Sequence, residues 1–482
     1  MKSLPGRNKF LRRMLLTLLF STALCAGASS VYAQCATSDN IGWGRGATVR
    51  FFLEPSLNNE QKRQIRWALA EWNRANSVNH ARVRFEEDST GQNFQFRFLN
   101  GSLGGNVPAF AGKNFTSDGT VVSATLTFDP NATFAGTSIL IGDPNQPGYE
   151  NYIIKLTLHE VGHTMGLDHP STASGNPCDQ PDGATIMNYI CNINDAANNM
   201  PLKLTTCDQN TINSLPRYPA FNQSPNPIDE SRTFVRQHYL DFLNREPDAA
   251  GLSFWTDQII SCGADAACRD NRRQNVSAAF FLSAEFQQTG YFVYRAYKAA
   301  FGDIPGKPVP ITIQEFLPET QQVARGVVVN QPGWEQLLEA NIQAWLNEFV
   351  QRRRFLAVYG SMSNEQFIDT LNARTGGVLS TDERNSLVAR LNGGQISRAQ
   401  ALREVADDAD LRALEFNRAF VLMEYFGYLR RNPEDPPEPT LDFAGYNFWL
   451  RKLNEHNGDY IGAQMVRSFL ISGEYRARFG QP

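Results

Sequence analysis

The pattern of hydrophobic and polar residues differs between the two halves of the chain. In the first half, alternating apolar and polar residues predict four strands, at ATVRFFLEP (47–55), ARVRFEE (81–87), FQFRFLN (94–100) and VSATLTFDP (122–130). In the second half, from about residue 232, the pattern is almost wholly helical. The chain therefore has at least two differently built regions.

Two long helices are predicted among the strands. The first begins after Asn58, because Asn58 and Gln61 match a capping box. Its apolar face is marked at helical spacing by Ile65, Leu69 and Trp72. The second helix covers residues 151–166. This order of elements predicts a mixed sheet packed against two helices, followed by a loop-rich part.

The stretch PRYPAFNQSPNPIDES (216–231) separates the two regions. It contains four prolines, several Asn and Ser residues, and no periodic apolar pattern, so it predicts a linker. Its composition suggests that few contacts cross it. Residues 34–224 are therefore expected to fold without the helical region, which covers 232–482.

The helical region contains an internal repeat. Residues Tyr239, Leu243, Arg245, Pro247, Asp248, Gly251, Phe254 and Trp255 recur as Tyr425, Leu429, Arg431, Pro433, Asp442, Gly445, Phe448 and Trp449. The copies cover about 234–290 and 420–480, with a weaker copy at about 365–408. The repeated aromatic residues are predicted to pack in the core rather than to bind a ligand. The region resembles an uncharacterised helical domain at the C-termini of secreted bacterial proteins, for which no catalytic residues are known.

The first 33 residues have the pattern of a secretory signal. A basic start precedes the apolar run MLLTLLFSTALCAGA, and Val31 and Ala33 supply the small residues before a cleavage predicted after Ala33. The apolar run is shorter than the ~20 residues that a membrane span needs. Removal of the signal moves the formal charge from −4 to −9. The sequence thus predicts an extracellular protein with no membrane span and no basic tail for nucleic acid.

Six cysteines remain after signal removal, namely Cys35, Cys178, Cys191, Cys207, Cys262 and Cys268. An even number in an exported protein indicates disulfides, and six cysteines allow many pairings. Spacing favours Cys178–Cys191 and Cys262–Cys268 as local loops, which leaves Cys35 for Cys207.

The candidate chemistry lies in HEVGHTMGLDHP, residues 159–170. His159 and His163 are four residues apart, so on a helix both imidazoles project from one face and reach one metal ion. Gly166 is expected to end the helix in a left-handed conformation, which brings His169 back as a third ligand. Three protein nitrogens leave a position open for water, as in catalytic rather than structural zinc sites.

Glu160 follows the first candidate ligand directly. It points about 100° away from His159 on a helix, so its carboxylate can take a proton from zinc-activated water and pass it to a leaving amine. The short pattern HExxH also occurs in ordinary amphipathic helices. The extended pattern HExxHxxGxxH specifies five positions, and this chain fills them all.

The extended motif, together with ATIMNY further on, resembles the metzincin zinc peptidases. The resemblance covers roughly residues 40–215 and implies an α+β peptidase domain at 34–215, with a mostly parallel sheet, two long helices and a loop-rich C-terminal subdomain. It implies that Met187 is an apolar floor beneath the histidines. It also implies that Tyr189 binds or leaves the zinc, as in the astacin and serralysin branches. By its position, VSATLTFDP corresponds to the family's edge strand, which pairs with the substrate backbone. TTCDQNTINSL (205–215) corresponds to the family's closing helix.

The chain departs from these relatives in two respects. Serralysins carry Gly/Asp-rich calcium repeats, and none occur here, so the sequence does not indicate structural Ca²⁺. Matrixins carry a cysteine-bearing latency propeptide, for which the run after Gln34 is too short. Cys35 could cap the zinc, although a disulfide is the favoured role.

The sequence therefore predicts a secreted zinc endopeptidase that acts on extended polypeptides, with Glu160 as general base and Tyr189 as a second catalytic residue. The helical repeats are expected to bind or anchor the protein to a cell-surface or matrix component. The alternative is a catalytically weak zinc-binding adhesin or surface-matrix protein, in which these repeats carry the main function.

Overall fold

The strands of the first region arise where apolar and polar residues alternate. The computed structural model describes residues 36–104, 107–133, 149–170, 185–188, 201–220 and 225–480. Within these ranges the strands are β1 (Thr37–Ser38), β2 (Gly42–Trp43), β3 (Thr48–Leu53), β4 (Arg84–Glu87), β5 (Phe96–Asn100), β6 (Ala109–Phe115), β7 (Thr120–Phe128) and β8 (Leu167–Asp168). The helices of this region are α1 (Asn59–Asn76), α2 (Tyr149–Thr164) and α3 (Thr206–Ser214). The four predicted strands and both long helices are present.

Helix α1 begins where the capping pattern predicts. The Asn58 side chain accepts a hydrogen bond from the Gln61 amide at 2.8 Å, and the Gln61 side chain accepts one from the Asn58 amide at 3.0 Å. Trp72, on the apolar face, is fully buried. Its indole donates to the Leu158 carbonyl of α2 at 3.2 Å, which joins the two long helices.

The sheet is mixed and mostly parallel. Its strands follow the order β4-β3-β5-β7-β6, and β2 pairs with the first two residues of β7. The pairs β3–β4, β3–β5 and β5–β7 are parallel. Phe96, Phe98 and Leu126 of the sheet share a buried cluster with Trp72 of α1 and Val161 of α2. The predicted sheet packed against two helices is confirmed.

The prediction that VSATLTFDP forms the edge strand is wrong. This segment forms most of β7, which pairs with β5 on one side and with β6 on the other. Strand β6 runs antiparallel to β7, and β7 is its one strand partner among the described residues. The strand beside the histidine helix is therefore β6, whose sequence AFAGKNF lacks clear alternation.

The second region is helical throughout its described length. Its helices are α4 (Ser231–Phe242), α5 (Ala249–Ile260), α6 (Ala266–Leu282), α7 (Ala284–Gln288), α8 (Gly290–Phe301), α9 (Ile313–Val323), α10 (Trp334–Phe349), α11 (Arg353–Tyr359), α12 (Asn364–Arg374), α13 (Thr381–Asn392), α14 (Arg398–Ala406), α15 (Ala409–Glu424), α16 (Ala444–Glu455), α17 (Met465–Leu470) and α18 (Gly473–Ala477). A π-helical turn, Tyr425–Leu429, follows α15. Within the described part of the chain, none of the helices combines the length and the apolar character needed to cross a membrane.

The two main repeat copies make equivalent contacts. Arg245 pairs with both carboxylate oxygens of Glu285 at 2.7 Å. Arg431, the corresponding residue, pairs with Glu474 at 2.6 and 3.1 Å. Each arginine also lies over the repeated tyrosine of its own copy, at 5.0 and 5.3 Å from the ring centroid. The sequence repeat is therefore also a repeat in structure.

The repeated tyrosines and phenylalanines differ in burial. Tyr239 and Tyr425 are buried, as the core interpretation predicts. Phe254 and Phe448 are 55% and 41% exposed, so they do not belong to the core. Their rings instead rest edge-on against the neighbouring Trp255 and Trp449, at centroid distances of 4.9 and 5.0 Å.

One predicted disulfide lies within the described residues. Cys262 and Cys268 are bonded, as their spacing predicts. Cys207 is also disulfide-bonded. The other cysteines, Cys35, Cys178 and Cys191, lie outside the described residues, so the pairs Cys35–Cys207 and Cys178–Cys191 stay predictions.

The expectation that few contacts cross the linker is wrong. Glu87 of β4 accepts hydrogen bonds from Arg66 at 2.8 Å and pairs with Arg325 of the helical region at 3.2 Å. Gln314 of α9 donates to the buried Glu71 of α1 at 3.0 Å. Helix α1 thus lies between the sheet region and the helical region, and polar residues of both contact it. Composition of the linker did not reveal this because the contacts are made far from it in sequence.

Candidate metal centre

Helix α2 supplies two of the three histidines. His159 and His163 lie one turn apart on the same face, and their ring centroids are 5.0 Å apart. The helix ends at Thr164, and Gly166 adopts a φ of +92°, a conformation that costs glycine little. The chain therefore reverses at the glycine, as the sequence predicts.

This reversal brings His169 back to the other two rings. Its centroid lies 5.0 Å from that of His159 and 4.8 Å from that of His163. The carbonyl of His169 accepts a hydrogen bond from the Thr37 hydroxyl at 2.7 Å, and β1 pairs with β8 directly before it. The N-terminal strand therefore holds the segment that carries the third histidine.

The three imidazoles form a set of donors that fits a single metal ion. One ligand atom from each ring lies within 4.8 Å of the other two. The His159 Nδ1 lies 2.9 Å from the Ile186 carbonyl, and the His163 Nδ1 lies 3.1 Å from the Leu167 carbonyl. Since a carbonyl only accepts, each Nδ1 carries the proton, which leaves the Nε2 lone pair for a metal.

Burial keeps these rings neutral. Burial lowers the pKa of His159 well below its usual value, and the nearby His163 and His169 lower it further. Burial also lowers the pKa of His163 and lowers that of His169 to about 4. A metal ligand must be deprotonated, so the cluster is ready to bind at neutral pH.

Glu160 lies on α2 beside the first histidine and is buried. Its carboxylate accepts a hydrogen bond from the Ala111 amide of β6 at 2.9 Å. Burial raises the pKa of Glu160 to about 7, and the hydrogen bond from Ala111 opposes that rise. The carboxyl is therefore balanced between its two protonation states near neutral pH, which suits a general base.

Met187 is fully buried and packs against α2 at Gly162. A Cβ atom added at Gly162 would lie 2.5 Å from its sulfur, so the glycine is what allows Met187 to approach α2. The structure thus brings together His159, His163, His169, Glu160, Gly166 and Met187. Tyr189 lies outside the described residues.

Sequence reasoning missed Lys113 and Asp208, which support the site. The Lys113 ammonium on β6 donates to the His163 carbonyl at 2.8 Å and pairs with Asp39 at 2.6 Å. Asp208 accepts hydrogen bonds from the Thr185 hydroxyl and from the Ile186 amide. Thr205 and Asp208 do form a recognisable capping box, but that signal does not reveal the contact with residue 186.

Comparison with known proteins adds one finding. Residues 220–290 match a family described as a domain of unknown function (DUF4214), which covers the first repeat copy. A search of curated proteins found no match. The site must therefore be interpreted from its own geometry.

Proposed function

We propose that this protein is a secreted zinc-dependent endopeptidase of the metzincin type. The observation that carries the proposal is the convergence of three imidazoles on one point, with the buried Glu160 next to the first of them on α2. The arrangement of β6 supports it, because an antiparallel edge strand lies directly against this carboxylate. The assignment covers residues 34–215, with zinc at His159, His163 and His169.

Zinc fits the donor set better than a hard cation does. Three imidazole nitrogens suit zinc, whereas calcium and magnesium prefer oxygen ligands. A bound zinc ion would supply a Lewis acid that polarises a carbonyl and acidifies water. Three protein ligands leave room for substrate and water, as a catalytic site requires.

Glu160 performs the proton transfers in this proposal. Its carboxylate oxygen takes a proton from the attacking water and passes it to the amine that leaves. The Ala111 amide holds the Oε2 atom of Glu160 at 2.9 Å, which fixes the carboxylate beside the histidines. Tyr189 is proposed to donate a hydrogen bond to the developing oxyanion.

Strand β6 is proposed to bind the substrate. The Ala111 amide points to Glu160 rather than to β7, so this side of β6 faces α2, the helix that carries His159 and His163. An extended peptide adds to such a strand through backbone hydrogen bonds, which explains why extended polypeptides are the proposed substrates. Phe110, 58% exposed on the same strand, lies where it can contact a substrate side chain.

Two further parts of the proposal concern location. The signal-like residues 1–33 support secretion, and the helical repeats, of which the first copy matches DUF4214, are proposed to bind a surface or matrix component. The rival proposal, a zinc-binding adhesin without catalysis, does not explain why the carboxylate next to His159 in the chain is buried and held by the Ala111 amide.

A digestion assay with casein tests the proposal. The protein should digest casein, a chelator should abolish digestion, and added zinc should restore it. Glu160→Gln should retain about one zinc per chain while turnover falls by several orders of magnitude, because the base is lost and the ligands remain. His163→Ala should lose zinc, whereas His456→Ala, outside the cluster, should not. Unchanged digestion after complete removal of metal would exclude a zinc peptidase.

A further inference from the structure

The helical region contacts the first region through a buried carboxylate. Glu71 of α1 is fully buried and accepts hydrogen bonds from Arg74 at 2.6 and 2.7 Å. It also accepts one from the Leu204 amide at 3.0 Å and one from the Gln314 side chain at 3.0 Å. One carboxylate therefore joins α1, the segment before α3 and helix α9. Its charge is balanced by Arg74, as a buried carboxylate requires.

The segment before α3 is held by the helical region at a second point. Lys203 pairs with Asp435 at 2.5 Å. Asp435 accepts a hydrogen bond from the Asn432 side chain at 2.8 Å, and Asn432 also donates to Gln314 at 3.1 Å. Residues Gln314 and Asn432 are almost completely buried. The position of Lys203 and Leu204 thus depends on residues of both regions.

From this segment the contacts continue to a zinc ligand. Thr205 and Asp208 cap α3, and Asp208 accepts hydrogen bonds from the Thr185 hydroxyl and from the Ile186 amide at 3.3 Å. The Ile186 carbonyl accepts the hydrogen bond from His159 Nδ1 at 2.9 Å. Such outer partners orient a ligating histidine, and their loss commonly costs about 10–100-fold in metal affinity or activity.

We propose that Gln314 and Asp435 are positioning residues for the metal centre, so that the helical region completes the zinc site. This inference rests on the proposed function. Neither residue touches the metal ligands, and both act through the segment before α3 and through Asp208. A partner that binds the helical region and displaces α9 would therefore alter zinc affinity as well as turnover. Parts of the helical region beyond the segment that matches DUF4214, residues 220–290, then have a role inside the enzyme.

The test uses the full-length chain with Gln314→Leu and Asp435→Asn. The control is Gln343→Leu, which removes a similar bond, from Gln343 to Glu339 at 2.8 Å, on the exposed face of α10. Zinc affinity is measured by competition with a chromogenic chelator, and ligand geometry by the visible spectrum of the Co²⁺-substituted protein. Each variant is measured at a temperature at which circular dichroism shows it folded.

We expect both test variants to bind zinc about tenfold more weakly and to show a changed Co²⁺ spectrum. The control should change neither. Parental affinity and spectrum in both folded test variants would overturn the inference. If Gln314→Leu does not fold, Asp435→Asn decides, because its partner Lys203 is 45% exposed and tolerates the loss.

Zinc binding and casein digestion by the parent protein distinguish a failure of this inference from a failure of the proposed function. A parent that binds zinc and digests casein, with variants equal to it, would refute the positioning role alone. A parent that binds no zinc and digests nothing would overturn both.

Discussion

His238 and Glu424 occupy equivalent positions in the two repeat copies, each directly before the repeated tyrosine, and both are buried. The His238 ring nitrogens contact the Phe234 carbonyl at 2.8 Å and the Ser277 hydroxyl at 2.6 Å. Neither carboxylate oxygen of Glu424 has a hydrogen-bond partner among the residues described. Burial raises the pKa of Glu424 well above its usual value, so this carboxyl should hold its proton to a higher pH in the folded protein than in the unfolded chain.

Stability should therefore fall as the pH rises past the pKa of this group in the unfolded chain. Below about pH 4.3 the carboxyl is protonated in both states and has no effect. Above this pH the unfolded chain releases the proton of Glu424, whereas the folded protein retains that proton. The free energy of unfolding then falls by up to about 1.4 kcal/mol per pH unit, until the pH reaches the raised pKa.

Urea unfolding between pH 4.5 and 7 measures this effect. Glu424→Gln should lack this part of the slope, so its stability relative to the parent should increase with pH. The control Glu455→Gln changes an exposed carboxylate and should follow the parent. Parallel curves for Glu424→Gln and the parent would mean that Glu424 is ionised in the folded state.

Gly162→Ala tests the contact between α2 and Met187. The added methyl would lie 2.5 Å from the Met187 sulfur, so either the methionine or α2 must move. We expect a loss of about 1–3 kcal/mol of stability, typical of overpacking, together with weaker zinc retention. Thermal unfolding and metal analysis after dialysis measure the two effects.

The matched control is Gly473→Ala, where no atom lies within 4 Å of the added methyl. This control should equal or exceed the parent in stability, because alanine is the better helix former. A Gly162→Ala protein as stable as the control would show that Met187 adapts freely.

A fragment covering residues 34–224 should be less stable than the full chain. It would expose Ala70 and Glu71, which the helical region buries. Calorimetry should show one cooperative transition for the full chain and a lower midpoint for the fragment. Two separate transitions in the full chain, one of them matching the fragment, would instead restore the expectation of independent domains drawn from the linker.

Tyr189→Phe tests the second catalytic residue proposed from the sequence. The change keeps the ring and removes one donor to the developing oxyanion. Loss of such a donor typically costs about 2.7–4 kcal/mol, or roughly a hundredfold or more in turnover. Substrate affinity and zinc content should change little, because the donor acts mainly in the transition state. Turnover within about twofold of the parent would show that Tyr189 only packs.

The sequence predicted those parts of the site whose positions depend only on residues nearby in the chain. His159, His163 and Gly166 are placed by helical spacing and by one left-handed residue, and the Asn58 capping box set the start of α1. These features depend on neighbours within four residues. Periodicity and capping rules therefore apply to them directly.

The contacts that sequence reasoning missed depend on residues far apart in the chain. Strand β6 is rich in small and polar residues, so it lacks a strand pattern, and Ala111 meets Glu160 only after the sheet has formed. Glu71 has the sequence of an ordinary surface glutamate on an amphipathic helix. Only the packing of α9 against α1 makes Glu71 a buried carboxylate that connects the two regions.

The pairing of β1 with β8 has a consequence for the order of folding. The Thr37–His169 hydrogen bond joins residues separated by 132 positions. Contacts across such long loops form late, because the entropy of loop closure must be overcome first. The two histidines on α2 can thus take their places while the third is still unfixed. The three-histidine cluster would then be complete only near the end of folding, so an unfinished chain could not yet hold a metal ion with all three imidazoles.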